Sequence, residues 1–283
     1  MTPNPLELRA GELRLALRPD LGGSVAGLWL GDLPVLRSSE PGELGSSRES
    51  ACYPLVPYSN RLGYRRFRWA GVDHTTAPNF DDNPHSLHGV AWQKAWNVTS
   101  QGASEAELQL MHEPDAHWPF AFAVIQRFVL TPGTLEAHLV FTNTGTQPQP
   151  VGLGWHPYFP KRPRSRLHIE LTDRWESDAS GLPTRRVPQP GIDADVAHLA
   201  FDHCFEGWRG QARIRDEKMS LRLSSSMPYL VVFTPDTKPY YCVEPVSHVS
   251  NAIHMSDPAS HGLRSVAPGA SFDAWMKLEI AGV

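Results

Sequence analysis

Cysteine is scarce in this chain: Cys52, Cys204 and Cys242 are the only three in 283 residues. Their wide spacing and odd number exclude a disulfide framework and leave at least one thiol unpaired in a monomer, which points to a reducing compartment. Charge of one sign is scarce as well. With 26 basic and 30 acidic side chains the formal charge is −4, too balanced for a nucleic-acid groove or for adhesion to an anionic membrane. Long apolar runs are missing, and no stretch approaches the roughly 20 residues that span a bilayer. Met1 to Arg18 alternate polar with apolar residues, where a secretory leader has a basic start and a continuous apolar block. A cytoplasmic protein is expected, and the Asn97-Val98-Thr99 sequon then carries no weight. Also absent are a Gly-x-Ser-x-Gly elbow, a Gly-rich phosphate loop ending in Lys-Ser or Lys-Thr, and a Gly-x-Gly-x-x-Gly turn. The corresponding hydrolase, kinase and dehydrogenase chemistries fall away with them.

What the chain does have is alternation. Leu13, Leu15 and Leu17 alternate with Glu12, Arg14 and Arg18, and near the other end Phe272, Ala274, Met276, Leu278 and Ile280 alternate with Asp273, Lys277 and Glu279. The same period of two recurs at Ala106 to Leu110, Leu135 to Phe141 and Met219 to Leu223, the signature of strands with one buried face. Tyr229 to Phe233 and Tyr240 to Val243 are continuous apolar or aromatic runs, which suits central strands covered on both faces. Turn clusters separate them, among them Thr131-Pro132-Gly133-Thr134, Asn143-Thr144-Gly145-Thr146 and Pro235-Asp236-Thr237-Lys238-Pro239, at the spacing of antiparallel hairpins. No long amphipathic helix is evident, and the 26 prolines and 22 glycines are scattered instead of gathered in a linker. The expectation is an all-β fold, one domain over residues 1–283, with a core filled by the 41% hydrophobic content.

Against this background a few polar residues stand out. His156 lies in Gly154-Trp155-His156-Pro157-Tyr158-Phe159 and Glu244 in Val243-Glu244-Pro245, each beside a proline that interrupts regular pairing. Histidine exchanges protons near neutrality, and a carboxylate leaving an apolar strand has its pKa raised by desolvation. A fold that joins them makes an acid-base pair. Taken locally, His156 reads equally as a packed ring among aromatics, and Glu244 as half of a salt bridge. Arg61, with Asn60 beside it, sits in an apolar surround where a guanidinium needs a partner, either an internal carboxylate or the hydroxyl oxygens of a ligand. His85 and His88 stand three apart in Asn83-Pro84-His85-Ser86-Leu87-His88-Gly89, but Pro84 and Gly89 argue against the helix that would make this a metal-ligand spacing. His88 reads instead as a hydrogen-bonding group beside a glycine that permits close approach. Asp202, in Phe201-Asp202-His203-Cys204-Phe205, is a ligand-facing carboxylate or a turn cap. Lys161, Arg162, Arg164 and Arg166 form the strongest charge run, a solvated loop or a phosphate contact.

Taken in chain order, Asn60-Arg61, Leu87-His88-Gly89, His156-Pro157-Tyr158-Phe159, Asp202 and Glu244-Pro245 resemble the aldose 1-epimerase (galactose mutarotase) family. The resemblance spans most of the chain and implies a large antiparallel β supersandwich with a sugar in an open cleft. It implies that Glu244 takes the proton of the anomeric hydroxyl and His156 gives one to the ring oxygen. Arg61, His88 and Asp202, with Asn60 beside them, are then the residues that bind the sugar. The implied partner is a monosaccharide, with no metal, nucleotide or redox cofactor, no nucleic acid and no membrane, and a monomer or homodimer is expected. Two departures, Val90 after His88-Gly89 and Pro160-Lys161 after Phe159, leave the sugar open. A hexose 6-phosphate is the alternative substrate, on the strength of the Lys161 to Arg166 run, and a non-catalytic carbohydrate-binding module is the alternative class. Trp92, Trp155 and Tyr158 are candidates for stacking on the sugar or for the core. The pH profile is expected to be a bell that needs ionised Glu244 and protonated His156, its histidine limb pushed upward by neighbouring carboxylates.

Overall fold

Alternating patterns of this kind build sheets, and a computed structural model, which describes residues 5–282, consists of them. Among the described residues the only helical segments are six 3-10 turns, and none is long and apolar enough to cross a membrane. A nine-stranded sheet has at its centre Glu105–His112, Phe122–Thr131, Thr134–Asn143, Ser271–Gly282 and Met219–Ser225, lying side by side and antiparallel. The Thr131-Pro132-Gly133-Thr134 cluster is the hairpin between two of them. One face of this sheet is buried. Ala106, Phe128, Ala137 and Met276 form one cross-strand row, and Leu110, Val124 and Phe141 another. Small side chains meet large ones along the first row, so the layer interlocks, and each large side chain removed from water contributes about 1.5–3 kcal/mol.

The second large sheet runs Pro183–Pro188, Asp173–Ser177, Asp202–Glu206, Tyr229–Phe233, Tyr240–Val246, Gly154–Trp155 and Pro54–Leu55, with Tyr158–Pro160 also pairing along Tyr240–Val246. Its two continuous apolar runs are covered on both faces, as expected. Leu230, Val232, Tyr241 and Val243 enter the main core with the buried face of the nine-stranded sheet. Val231, Cys242 and Val246 belong to a separate apolar cluster on the other side. Alternation then decides where Glu244 points: it shares its face with Cys242 and Val246, away from the main core. Trp155 faces the main core, where its indole N–H donates to Gln126 Oε1 at 3.0 Å while the Gln126 amide donates to the Gly23 carbonyl at 2.8 Å. His156, the next residue, faces the opposite way. All three thiols are unpaired and buried.

Candidate active site

Strand register brings His156 and Glu244 together. Gly154 pairs with Val246 and Tyr158 with Cys242, so the position midway sets His156 opposite Glu244. Pro157 has no N–H to give to that ladder, and the segment bonds to its other neighbour instead. The N–H of His156 donates to the Tyr53 carbonyl at 3.0 Å and that of Tyr158 to the Ala51 carbonyl at 2.9 Å. Both side chains are buried, and His156 Nε2 lies 3.4 Å from Glu244 Oε1. The imidazole is held between Tyr158, with centroids 4.5 Å apart and planes 17° apart, and Tyr53, at 4.8 Å. His88 meets it edge-on at 5.1 Å. Behind Tyr158 the Arg37 guanidinium stands 3.7 Å from the ring centroid, fixed by the carbonyls of Arg48 and Ser50.

The facing wall is a ribbon of two short strands in which Arg61 pairs with Leu87, so two motifs separated in sequence become one structure. The His88 N–H donates to the Asn60 carbonyl at 2.9 Å, and the Asn60 N–H donates to His88 Nδ1 at 3.2 Å. That reciprocal pair leaves the proton of a neutral imidazole on Nε2. Asn60 (φ 56°) and His88 (φ 64°) both have left-handed backbones, a conformation uncommon outside glycine that Asn and His adopt more readily than most residues. Gly89 is obligatory, because a Cβ there would lie 2.0 Å from the Val56 carbonyl oxygen. Arg61 Nη1 donates to Asn60 Oδ1 at 3.2 Å and Nη2 to Asp202 Oδ2 at 3.3 Å. Its buried Nε has no partner among the described residues. Both readings of Arg61 hold in part: a carboxylate partner exists, but it is long and exposed to solvent, and donor capacity remains.

The two walls enclose a cleft of about 250 Å³, and the six residues that the family resemblance assigned to the site line it: Asn60, Arg61, His88, His156, Asp202 and Glu244. Tyr158 lines it too, whereas Trp92 and Trp155 are packed in the two apolar clusters. His85 is engaged elsewhere, its Nδ1 accepting from the Tyr64 N–H at 2.9 Å and its Nε2 at 3.1 Å from the Ser180 carbonyl, so the histidine pair does not converge on a metal. The charge run does not reach the cleft either. Arg162 pairs with Asp216 at 2.5 Å, Arg166 with Asp193 at 2.9 Å, and the Lys161 ammonium donates to the Pro235 carbonyl. Sequence reasoning missed Tyr53 and Arg37. Tyr53 lies only a few residues before Asn60-Arg61 and faces the cleft as a strand neighbour, but Arg37 is remote from every motif and had no signal.

Burial governs the electrostatics. It pushes Glu244 well above the ordinary carboxyl range, with Asp202 adding to the rise and Arg61 opposing it. It pushes His156 well below the ordinary imidazole range, reinforced by His88 and Arg37. The expected upward shift of His156 is thereby overturned: the aromatic walls strip water from the imidazole, and Arg37 adds positive charge behind it. The opposite shifts make the carboxyl the favoured seat of a proton shared between two sites 3.4 Å apart. His88 is pushed down to about 3 by burial, then by Arg61 and Arg48, and so stays a neutral donor.

Comparison with known proteins identifies the family and the fold. The sequence profile of the family described as aldose 1-epimerase matches residues 5–279. An uncharacterised Escherichia coli K12 protein, YphB, is 31% identical over 290 residues, spanning 96% of this chain and 97% of its own. A crystal structure of a candidate aldose 1-epimerase from Escherichia coli K12 superimposes with a TM-score of 0.89 at 29% identity, covering 99% of both chains. A galactose mutarotase-like protein from Clostridium acetobutylicum shares the fold, with a TM-score of 0.85 at 20% identity over 98% of this chain and 95% of that one. The fold is shared with these structures, and the chain belongs to the aldose 1-epimerase family.

Proposed function

We propose that this protein is a mutarotase that interconverts the α and β anomers of a free aldose, with Glu244 as base and His156 as acid. The observation that carries the reading is the 3.4 Å contact between a buried imidazole and a buried carboxyl at the wall of a polar cleft. The ring oxygen and the anomeric hydroxyl of a pyranose are bonded to the same carbon, so an acid and a base side by side reach both without straddling the ring. Transfer of the shared proton from Glu244 to His156 Nε2 readies the pair, and the positive charge of Arg61 favours the resulting carboxylate. Glu244 then takes the hydroxyl proton, the C1 carbonyl forms as the C1–O5 bond breaks, and O5 receives the proton of His156. After rotation about C1–C2 the steps run backward on the other carbonyl face, and both side chains return to their starting states. Asn60, Arg61, His88 and Asp202 hold the remaining hydroxyls, His88 as a neutral donor through Nε2. A free sugar is favoured over a 6-phosphate, because the cations of the Lys161 to Arg166 run are engaged away from the cleft. Polarimetry of freshly dissolved α-glucose and α-galactose tests the reading: catalytic amounts of protein should shorten the approach to equilibrium. A rate equal to buffer across a panel of aldoses would remove it.

The pair works only while it holds one proton. A second proton removes the base, and because His156 is pushed down, this happens below the ordinary imidazole range; loss of the only proton removes the acid, and because Glu244 is pushed up, this happens above the ordinary carboxyl range. Activity is therefore expected to follow a bell, with an acid limb owned by His156 and an alkaline limb owned by Glu244. Arg37→Met checks the ownership. Removing the charge behind Tyr158 eases protonation of His156, so the acid limb of kcat/KM should move to higher pH while the alkaline limb stays. Movement of the alkaline limb alone would restore the opposite assignment.

A further inference from the structure

Beneath the cleft lining lies a thiol that sugar isomerisation does not use. Cys242 precedes Glu244 by two residues on one strand, so the two side chains share a face, and it pairs with Tyr158 in the same register that sets His156 opposite Glu244. A thiol, a ring nitrogen and a carboxylate oxygen from Cys242, His156 and Glu244 consequently lie within 4.8 Å of one another, all three residues buried. One sulfur, one nitrogen and one oxygen form a donor set for a soft or borderline divalent cation. In a tetrahedral zinc site, with bonds of about 2.0–2.3 Å, neighbouring donor atoms stand about 3.3–3.6 Å apart. His156 Nε2 and Glu244 Oε1 are already at 3.4 Å, so the sulfur has to close by no more than about 1.2–1.5 Å. The other polar atoms of both residues, His156 Nδ1 and Glu244 Oε2, are buried without a partner among the described residues, and no hydrogen bond resists that small rotation.

The geometry points to a Zn²⁺ or Cd²⁺ site formed by Cys242, His156 and Glu244, whose occupation shuts off proton transfer in the cleft. The fourth position opens on the cleft, where water or a sugar hydroxyl completes the tetrahedron. Charge balance favours the dication, because a thiolate and a carboxylate together neutralise it, whereas burial opposes either anion alone. Mg²⁺ and Ca²⁺ seek shells of oxygen and find one oxygen side chain here. Metal binding stands independently of the mutarotase reading; only the inhibition rests on it.

The test is a titration of EDTA-stripped protein with CdCl₂, following the ultraviolet charge-transfer band of a cadmium–thiolate bond. The band should saturate at one equivalent, persist in Cys52→Ser and Cys204→Ser, and vanish in Cys242→Ser, with Cys242→Ala as the second variant if the serine form does not fold. Cys242 does not line the cleft, so Cys242→Ser in EDTA should turn over like the wild type, while the half-inhibiting ZnCl₂ concentration rises at least about tenfold. No band in the wild type, or an unchanged band in Cys242→Ser, overturns the site. Failure of EDTA-treated wild type to speed mutarotation would overturn the function instead, and the cadmium band would still decide the metal.

Discussion

Glu244→Gln is expected to slow mutarotation by about 10²- to 10⁴-fold, or about 2.7–5.4 kcal/mol of barrier, while leaving sugar affinity and folding nearly unchanged. Gln has the volume of Glu and keeps a neutral polar head. Burial already pushes the Glu244 carboxyl toward its protonated, neutral form, so the amide enters a site adapted to an uncharged group, and the cost to folding is small. What it lacks is a lone pair basic enough to accept the hydroxyl proton. Stopped-flow polarimetry of the variant, with the buffer rate subtracted, reads the chemical loss; titration calorimetry with the same sugar reads the binding. Equal losses in both would mean that Glu244 is a binding group only, and full retention of rate would place the base elsewhere.

Much of this candidate site was legible because its residues are tied to punctuation. Pro157 stands in the gap between the Gly154–Val246 and Tyr158–Cys242 pairs, which leaves His156 and Glu244 facing each other, whereas Pro245 lies within its strand and the ladder to Tyr229–Phe233 runs unbroken through it. Gly89 marks a backbone crowded against Val56, and with it the left-handed His88. The sheets were legible from period two, since Ala106, Leu108 and Leu110 fall on one buried face. The continuous runs at Tyr229–Phe233 and Tyr240–Val246 carried the further information that two environments flank them. Other features were beyond one-dimensional reasoning. Whether Arg162 and Arg166 meet a ligand or an acid depends on Asp216 and Asp193, distant residues that topology delivers. The direction of the His156 shift depends on Tyr53 and Tyr158 enclosing the ring and Arg37 lying behind Tyr158. Counting carboxylates along the sequence gave the opposite sign, because it weighed nearby anions and not the loss of water around the ring.

His156→Asn should cost about as much as the glutamate change, roughly 10²- to 10⁴-fold in turnover, and the double variant with Glu244→Gln should be little slower than the slower single. Ring opening removes one proton and delivers another in a single coupled event, so once either partner is gone the other has nothing to complete. Groups that act in separate steps would instead multiply their losses. Stability behaves differently. Removing the imidazole from between Tyr53 and Tyr158 sacrifices stacking worth about 0.5–1.5 kcal/mol, so His156→Asn should unfold at lower denaturant than Glu244→Gln. Denaturant titration of all three variants alongside initial mutarotation rates separates the two effects. Multiplicative loss of rate in the double variant would show that His156 and Glu244 serve different steps, and the shared-proton pair would have to be abandoned.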